Sequence, residues 1–234
     1  YIMDYGDVDA LFIGKIETWD DIKNDLPSEM PIIRFPKYEG CSNVTKGHEW
    51  HEFINSHEPI ENPNKPKLSD LWTIIFTSGT TGNPKGVMLT YQAIDGIKVV
   101  LDDPNNPLGI KHTGNNDFIS YLPLNHIFER VVIEWCSFRY GGTISFVESI
   151  ETFGQNLKEV QPHVFAAAPR VWTKLQMGIL SKFPQKKLDT LLKIPLFSTI
   201  LKKLIRKGLG FSRVRVTVSG LSLIHISEPT RPLY

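Results

Sequence analysis

The chain has 234 residues, of which 41% are hydrophobic and 22% are charged, and its formal net charge is +1 at pH 7. This composition is typical of a folded globular protein, and the near-neutral charge gives no support for nucleic-acid binding, which needs a clustered basic face. The cysteines Cys41 and Cys136 lack C-x-x-C spacing, which argues against a disulfide framework and favours free thiols in a reducing compartment.

Apolar runs typical of strands alternate along the chain with amphipathic segments typical of helices. The predicted strands, in chain order, are Leu11–Ile13, Pro31–Phe35, Leu71–Phe76, Val87–Leu89, Phe118–Tyr121, Thr143–Val147, His163–Ala167 and Val214–Val218. The predicted helices are Tyr91–Leu101, Phe128–Tyr140, Thr152–Val160 and Pro169–Leu180. This alternation predicts a layered α/β fold with a largely parallel sheet and flanking helices.

Three histidines, His48, His51 and His57, occur close together before the third predicted strand. Three histidines are able to coordinate Zn²⁺, but the segment from Gly47 to Glu52 does not match H-E-x-x-H. We therefore predict a solvated helix face there and no metal site.

A turn rich in glycine and hydroxyl groups follows the predicted strand Leu71–Phe76 and runs from Thr77 to Gly86. Glycines let the backbone approach a ligand closely, consecutive N–H groups form an anion-binding concavity, and lysine supplies a positive charge suited to phosphate oxygens. The turn therefore predicts a polyphosphate-binding loop between two strands, formed by Thr77, Ser78, Gly79, Thr80, Thr81, Gly82 and Lys85. Its spacing does not match the Walker pattern, and the alternative is a glycine-rich hairpin without a ligand.

Two further polar segments follow predicted strands. Leu122–His126 comes after the strand Phe118–Tyr121, and Arg170 comes after the strand His163–Ala167. Because ligands of open α/β sheets bind outside the carboxyl ends of the strands, we expect both segments and the phosphate loop at the same kind of edge. Positive charge at a helix N-terminus opposes the helix dipole, so Arg170 either meets a partner or ligand or is a surface arginine.

These segments resemble a known family. The run I-I-F-T-S-G-T-T-G-N-P-K-G-V-M-L-T, residues 74–90, resembles the signature phosphate loop of the adenylate-forming synthetases. The run Y-L-P-L-N-H-I-F-E-R, residues 121–130, is similar to the L-P-L-x-H-x-F-E-R block of long-chain fatty acyl-CoA synthetases. The run A-A-A-P-R-V-W-T-K-L, residues 166–175, resembles the block that follows in the same subfamily. The likeness covers residues 1–220 and implies part of the large N-terminal domain of such an enzyme.

The resemblance implies a reaction and its cofactors. A long-chain fatty acid would be activated with ATP and Mg²⁺ to acyl-AMP and pyrophosphate, and coenzyme A would then displace AMP to give acyl-CoA. The residues that the resemblance implies for the acyl and carboxylate pocket are His126, Phe128, Glu129, Arg130 and Arg170.

Several of these residues keep a simpler interpretation. Asn125 and His126 could form a satisfied polar pair at a strand end, and Glu129 and Arg130 could form an exposed ion pair of little energetic value. The apolar residues Ile127, Phe128, Val131, Val132 and Trp135 either line an acyl tunnel or form ordinary core, because helical spacing is common to both.

Other motifs of the family have no counterpart in the sequence. Y-G-x-T-E, whose glutamate the resemblance implies for Mg²⁺, does not occur, and neither do the ribose-binding aspartate, the hinge and the small C-terminal domain with its catalytic lysine. We therefore assign no catalytic residue and no metal ligand, and expect residues 1–220 to be an inactive fragment. Residues 221–234 resemble the conceptual translation of a sequencing-library adapter, and we predict that this tail is artefactual.

Residues 182–207 form a basic amphipathic segment with eight Lys or Arg and one acid, Asp189. Such a segment either contacts an anionic membrane or packs one face on its own domain. No apolar run in the sequence reaches the length needed to cross a bilayer. We expect a cytoplasmic protein, with any such contact at the inner face of a membrane.

Other functions remain compatible with these residues. They are a different adenylate-forming enzyme, such as an aryl or medium-chain acyl-CoA ligase, a non-catalytic nucleotide- or lipid-binding fragment, and a phosphotransferase or NTPase. The continuation Phe128-Glu129-Arg130 argues against a compact polar acid as the substrate. Pyrophosphate release that depends on a fatty acid would separate these functions.

Overall fold

A computed structural model describes residues 1–14, 16, 18–36, 44–77, 83–103, 105–106, 110–112 and 114–220. The chain divides into two compact units. The first consists of Tyr1–Asp70 and Phe76–Met88, and the second of Leu71–Ile75 and Leu89–Tyr234. The predicted tail, residues 221–234, lies outside the described residues.

The first unit contains a small parallel sheet with short helices. In chain order its elements are α1 (Ile2–Tyr5), β1 (Leu11–Ile13), α2 (Trp19–Ile22), β2 (Ile32–Arg34), β3 (His48–Glu49) and α3 (Trp50–Asn55). The strands are ordered β1-β2-β3, with Leu11 opposite Ile32 and Ile33 opposite His48. The buried residues Ile13, Trp19, Ile32 and Val44 form its core.

The histidine-containing segment is not the single helix face that the sequence predicts. His48 lies in β3, and Glu49 caps α3 by accepting the backbone N–H groups of His51 at 2.8 Å and Glu52 at 3.1 Å. The cap ends the strand at Glu49 because a carboxylate satisfies the free N–H groups of a helix start. His57 lies just after α3, and its Nδ1 is 2.7 Å from the carbonyl oxygen of Phe53.

Strands β4 (Leu71–Thr77) and β5 (Lys85–Thr90) pair in a two-stranded sheet, so the phosphate loop joins two strands, as predicted. The apolar run Leu71–Phe76 is typical of a buried strand, yet Ile75 is the one buried side chain of β4. Among the described residues β4 pairs with a single strand, which leaves most of its side chains half-buried or exposed.

The sheet of the second unit is parallel. Its strands are β6 (Asp117–Ser120), β7 (Thr143–Phe146), β8 (Val164–Ala167) and β9 (Val216–Ser219). β6 pairs with β7, and β8 pairs with β9, both in parallel. The two pairs lie side by side, since the backbone N–H of His163 donates to the carbonyl of Asp117 at 2.9 Å. The carboxyl ends of all four strands therefore share one edge.

Helices flank this sheet. They are α4 (Tyr91–Leu101), a π-helix (Glu129–Trp135) that continues as α5 (Cys136–Tyr140), α6 (Phe153–Val160), α7 (Pro169–Leu180), α8 (Gln185–Lys193) and α9 (Pro195–Leu209). The predicted bounds of α4 and α7 agree with the structure residue for residue. No helix in the described part of the chain is long and apolar enough to cross a membrane.

The two faces of the sheet carry separate cores, because successive strand residues point to opposite faces. On one face Phe118, Val164 and Ala166 pack with Val132, Ile133, Cys136 and Tyr140. On the other face Ile119, Phe165 and Ala167 pack with Leu157, Phe211 and Val214. The predicted layered α/β fold, with a largely parallel sheet and flanking helices, is confirmed.

The segment predicted as one helix over Phe128–Tyr140 contains the π-helix. Val131, Val132 and Ile133 are consecutive and all buried, which the ordinary α-helical period of one apolar stripe does not predict. Cys136, just beyond, is a free buried cysteine whose pKa is raised by burial to about 12. The expectation of a free thiol holds for Cys136, while Cys41 lies outside the described residues.

Gly210 allows the end of α9 to lie against α6. Its φ of +80° places it in the left-handed region, and a Cβ there would come within 2.3 Å of the carbonyl oxygen of Leu157. Glycine is the residue that tolerates both conditions.

Candidate active site at the carboxyl edge of the sheet

The predicted phosphate-binding residues belong to the first unit, whereas the predicted acyl-pocket residues belong to the second. Thr77 ends β4 and Lys85 begins β5, and both side chains are exposed. The hydroxyl of Thr77 donates to the carbonyl of Lys85 at 3.5 Å. Ser78, Gly79, Thr80, Thr81 and Gly82 lie outside the described residues. The phosphate-binding assignment therefore stays a prediction.

In the second unit the segments that follow β6 and β8 meet at the carboxyl edge. Tyr121 follows β6, and its hydroxyl donates to the carbonyl of Ala166 in β8 at 2.9 Å. Trp172, in the first turns of α7, donates its indole N–H to the carbonyl of Ala167 at 3.2 Å. The segments at His126 and Arg170 therefore both lie at the carboxyl edge of the sheet, as predicted.

Phe128 connects this edge to the last strand. It packs against the first of the two cores. A Cβ built on Gly220, directly after β9, would lie 3.6 Å from its ring. Phe128 therefore lies beside the carboxyl end of β9.

His126 is half-buried and carries an unsatisfied group. Its backbone is bonded, because its N–H donates to the carbonyl of Pro123 at 3.0 Å and its carbonyl accepts the N–H of Arg130 at 3.2 Å. Its ring Nδ1 is buried and has no hydrogen-bond partner among the described residues. Asn125 beside it is exposed, so the interpretation as a satisfied polar pair is wrong. A buried polar atom without a partner is rare in native proteins and calls for an explanation.

Glu129 is buried, with 1% of its surface exposed, and it opens the π-helix. Burial raises the pKa of its carboxyl group, although the Ser120 hydroxyl and the backbone N–H groups of Leu122 and Tyr121 oppose the shift. Its Oε1 has no hydrogen-bond partner in the described part of the chain. Burial, followed by the nearby Glu129 carboxyl, also raises the pKa of Tyr121 to about 12.

Arg130 does not pair with Glu129, so the interpretation of these two residues as an exposed ion pair is wrong. Its guanidinium Nη1 lies 3.3 Å from Oε2 of Glu134, one helical turn further on. The same guanidinium lies over the ring of Trp72, 5.2 Å from the ring centroid, in a cation–π geometry. The buried Nε of Arg130 has no hydrogen-bond partner among the described residues.

Arg170 is exposed in the first turn of α7 and forms no ion pair within the described residues. Next to it an open cavity of about 340 Å³ is lined by Pro169, Trp172, Thr217 and Ser219. Sequence reasoning missed Thr217 and Ser219. Their two-residue spacing at the end of the last parallel strand was the available signal, because it places both hydroxyls on one face.

The predicted tunnel residues are mostly core. Val131 and Val132 are buried, and Phe128 and Trp135 pack against the first core. Ile127 is 36% exposed and is the outermost of the five. Within the described residues Phe128, Val131, Val132 and Trp135 therefore belong to the core around the π-helix, and Ile127 does not.

The described residues contain no group of three His, Cys, Asp or Glu side chains able to bind a metal ion such as the predicted Mg²⁺. Mg²⁺ commonly binds through one or two carboxylates together with substrate phosphates.

Comparison with known proteins gives a family match over most of the chain. The model of the family described as AMP-binding enzyme matches residues 1–224. Long chain acyl-CoA synthetase 4 of Arabidopsis thaliana is 33% identical over 199 residues, covering 73% of this chain and 29% of that protein. Long-chain-fatty-acid–CoA ligase 5 of Mus musculus is 33% identical over 185 residues, covering 71% of this chain and 27% of that protein. The chain spans less than a third of the curated relatives it matches.

Solved structures agree on the fold. An anthranilate CoA ligase in complex with anthranoyl-AMP matches with a TM-score of 0.61 and 17% identity, over 94% of this chain and 37% of its own. The A-PCP didomain of a carboxylic acid reductase from Segniliparus rugosus, in complex with AMP, matches with a TM-score of 0.60 and 18% identity, over 95% and 34%. At this level of identity the likeness concerns the fold alone.

Proposed function

Because the chain belongs to the AMP-binding enzyme family, we propose that it is part of an enzyme that activates a long-chain fatty acid with ATP and joins it to coenzyme A. The placement of the segment 121–130 carries this proposal. This segment is similar to a block of the long-chain synthetases and lies at the carboxyl edge of a parallel sheet. It contains buried polar atoms that have no hydrogen-bond partner among the described residues. That edge is where open α/β sheets bind ligands.

The proposed chemistry has two steps. A carboxylate oxygen of the fatty acid attacks the α-phosphorus of ATP, and the bond to the β-phosphate oxygen breaks, releasing pyrophosphate. The thiolate of coenzyme A then attacks the acyl carbonyl carbon, AMP leaves with its phosphate oxygen, and the thioester forms. Catalysis of phosphate transfer depends mainly on positioning and on charge stabilisation.

The residues of the phosphate loop would supply the charge stabilisation. In this proposal Thr77, Ser78, Gly79, Thr80, Thr81, Gly82 and Lys85 bind the β- and γ-phosphates through hydroxyls, backbone N–H groups and one ammonium. Mg²⁺ would arrive bound to the same phosphates and neutralise part of their charge. The exposure of Thr77 and Lys85 at facing strand ends supports this role.

The carboxyl edge of the second unit would position the fatty acid. We assign His126 to orient the carboxylate, because its Nδ1 is buried without a partner. Phe128 would bound the acyl pocket, and the buried Glu129 and the Trp72-stacked Arg130 would hold the segment in place. Arg170 would attract the carboxylate from its exposed position in α7.

The test is pyrophosphate release, measured in the complete protein because this chain spans less than a third of its relatives. We expect release from ATP that requires palmitate and is followed by palmitoyl-CoA formation. Lys85→Ala and Thr80→Ala should each reduce the rate about 100-fold, as loss of one charge-stabilising donor does. Lys65→Ala, an exposed lysine outside the loop, is the matched control.

The alternative functions give different results in the same assay. Release that depends on benzoate instead of palmitate would indicate an aryl-acid ligase, and release of γ-phosphate would indicate an NTPase. Binding of ATP without any release would indicate a non-catalytic nucleotide-binding protein. Each of these results would overturn the long-chain ligase proposal.

A further inference from the structure

Trp72 is a large aromatic residue of β4 that the predicted site does not include. Its side chain is half-buried. Because successive strand residues point to opposite faces, it lies on the other face of β4 from the buried Ile75. Within the described part of the chain it packs against neither core of the second unit. Core packing therefore does not account for a tryptophan at this position.

The ring of Trp72 is covered by the guanidinium of Arg130. The central carbon of the guanidinium lies 5.2 Å from the ring centroid, within the range of a cation–π interaction. The side chain of Arg130 is 20% exposed. Since a cation–π interaction is stronger where the cation is shielded from water, the two side chains form a defined contact.

The same arginine is linked to His126. The backbone N–H of Arg130 donates to the carbonyl of His126, one turn earlier, at 3.2 Å. The ion pair of Arg130 with Glu134 lies within the π-helix, so it does not fix that helix against another element. The contact with Trp72 does join the helix to another element, β4, and all of these residues belong to the second unit.

We infer that Trp72 is a positioning residue of the candidate active site. By holding the guanidinium of Arg130, it fixes the turn 126–130, and with it the ring of His126, at the carboxyl edge of the sheet. The inference rests on the proposed function, in which His126 orients the carboxylate of the fatty acid. The role of Trp72 requires no contact with either substrate, because the rate of attack depends steeply on the geometry that it maintains.

Action along β4 on the phosphate loop is the competing route, because Trp72 and Thr77 belong to the same strand. The two routes differ in the substrate that is affected. The route through Arg130 changes the use of the fatty acid, whereas the route along β4 changes the use of ATP. Kinetic constants for each substrate therefore separate the two routes.

The first experiment needs no substrate and measures amide hydrogen exchange in the 234-residue chain. In Trp72→Leu and in Arg130→Met the amides of residues 126–130 should exchange about 10-fold faster or more, because the contact with β4 is lost. The amides of β6 and β8 should exchange as in the wild type. Trp50→Leu, which removes another half-buried tryptophan from α3 of the first unit, is the matched control and should leave residues 126–130 unchanged.

The second experiment measures pyrophosphate release in the complete protein. Trp72→Leu should lower kcat/KM for palmitate about 10-fold or more and leave KM for ATP within about two-fold of the wild type. Trp72→Phe keeps an aromatic face for the guanidinium and should recover most of this loss. Trp50→Leu should match the wild type.

The pair of residues is tested by combining the variants. Arg130→Met should lower kcat/KM for palmitate by a factor similar to that of Trp72→Leu. The double variant should be no slower than the slower single variant, because both substitutions break one contact and their effects are then not additive.

Three results would overturn the inference. They are unchanged exchange of residues 126–130 in Trp72→Leu, a raised KM for ATP with unchanged kinetics for palmitate, and effects of the two substitutions that multiply in the double variant. Failure of the proposed function is recognised separately. It would appear as no palmitate-dependent pyrophosphate release in the wild type, while faster exchange in Trp72→Leu would still establish that Trp72 holds the turn.

Discussion

The two edges of the sheet in the second unit differ in how fully their polar groups are hydrogen-bonded. At the amino edge, before β6, β8 and β9, most of the polar side chains bond to one another, although the buried Nε of Arg215 has no hydrogen-bond partner among the described residues. The amide of Asn116 accepts from the Lys111 N–H at 3.0 Å and from Arg215 at 2.7 Å, and it donates to the Gly141 carbonyl at 3.1 Å. Arg213 pairs with Asp117 there, and lies 3.1 Å from Nε2 of His163.

At the carboxyl edge of the same sheet, polar atoms remain without partners. His126 Nδ1, Glu129 Oε1 and Arg130 Nε are all buried, and none has a hydrogen-bond partner in the described residues. An unpaired buried polar atom costs folding free energy. The three such atoms named at the carboxyl edge, against Arg215 Nε at the amino edge, support the proposal that a ligand binds at the carboxyl edge.

The largest effect should follow from breaking the amino edge. Asn116→Ala removes hydrogen bonds to Lys111, Gly141 and Arg215 and leaves the N–H of Lys111 and the carbonyls of Lys111 and Gly141 without these partly buried bonds. We expect unfolding in urea to show a loss of about 3 kcal/mol. Asn115→Ala, at an exposed neighbour, should stay within about 0.5 kcal/mol of the wild type. Equal losses for both variants would remove the contrast between the edges.

A gain of stability should follow at the carboxyl edge. Glu129→Gln keeps the shape of the side chain but removes a charge that burial disfavours, so we expect an increase of about 1 kcal/mol in the free energy of unfolding at pH 7. Glu159→Gln, on an exposed residue of α6, is the control and should change little. A loss of stability in Glu129→Gln would mean that nearby donors hold the ionised carboxylate.

The pH dependence of stability should have opposite signs at the two edges. Burial raises the pKa of Glu129, so its contribution is fully present below the unfolded pKa and is lost as pH rises through the folded pKa. Burial, followed by Arg215 and Arg213, lowers the pKa of His163, so its contribution is present above the unfolded pKa and is lost as pH falls through the folded pKa.

Urea unfolding between pH 4 and 7 measures the contributions of Glu129 and His163 to stability. This range of about three pH units includes the ordinary pKa values of Glu and His. Relative to the wild type, Glu129→Gln should lose its advantage as the pH falls. His163→Asn should remove part of the acid-induced loss of stability. Each effect should be about 1 kcal/mol or less. Parallel curves for all three proteins would show that neither group titrates as described.

The smallest effect on stability should come from His126. Its ring Nδ1 makes no hydrogen bond within the described residues, so His126→Ala should change the free energy of unfolding by less than about 0.5 kcal/mol. In the complete protein the same substitution should reduce fatty-acid-dependent pyrophosphate release by about 10-fold or more. A large loss of stability would place His126 with the structural residues of the amino edge.

Much of the sheet could be predicted from local pattern. The strands that became β6, β7 and β8 were placed within one residue at each end, because each is a short apolar run between polar turns. The carboxyl edge followed from the position of polar segments after those strands. The π-helix was missed, since its three consecutive buried residues break the α-helical period.

The hydrogen bonds and ion pair at the amino edge of the sheet could not be predicted from the sequence. Arg213 and Asp117 are 96 residues apart in the chain, and Arg215 and Asn116 are 99 apart. No local period or spacing connects such positions.

The sequence by itself determined the family, the alternation of strands and helices, and the chemistry of the residues that follow the strands, because motifs and periodicity are properties of neighbouring residues. Only the tertiary structure decided that Glu129 is buried, that Arg130 stacks on Trp72, and which face of α9 meets the solvent. These properties depend on segments that are distant in the chain and adjacent in space, since burial is set by everything that packs around a side chain.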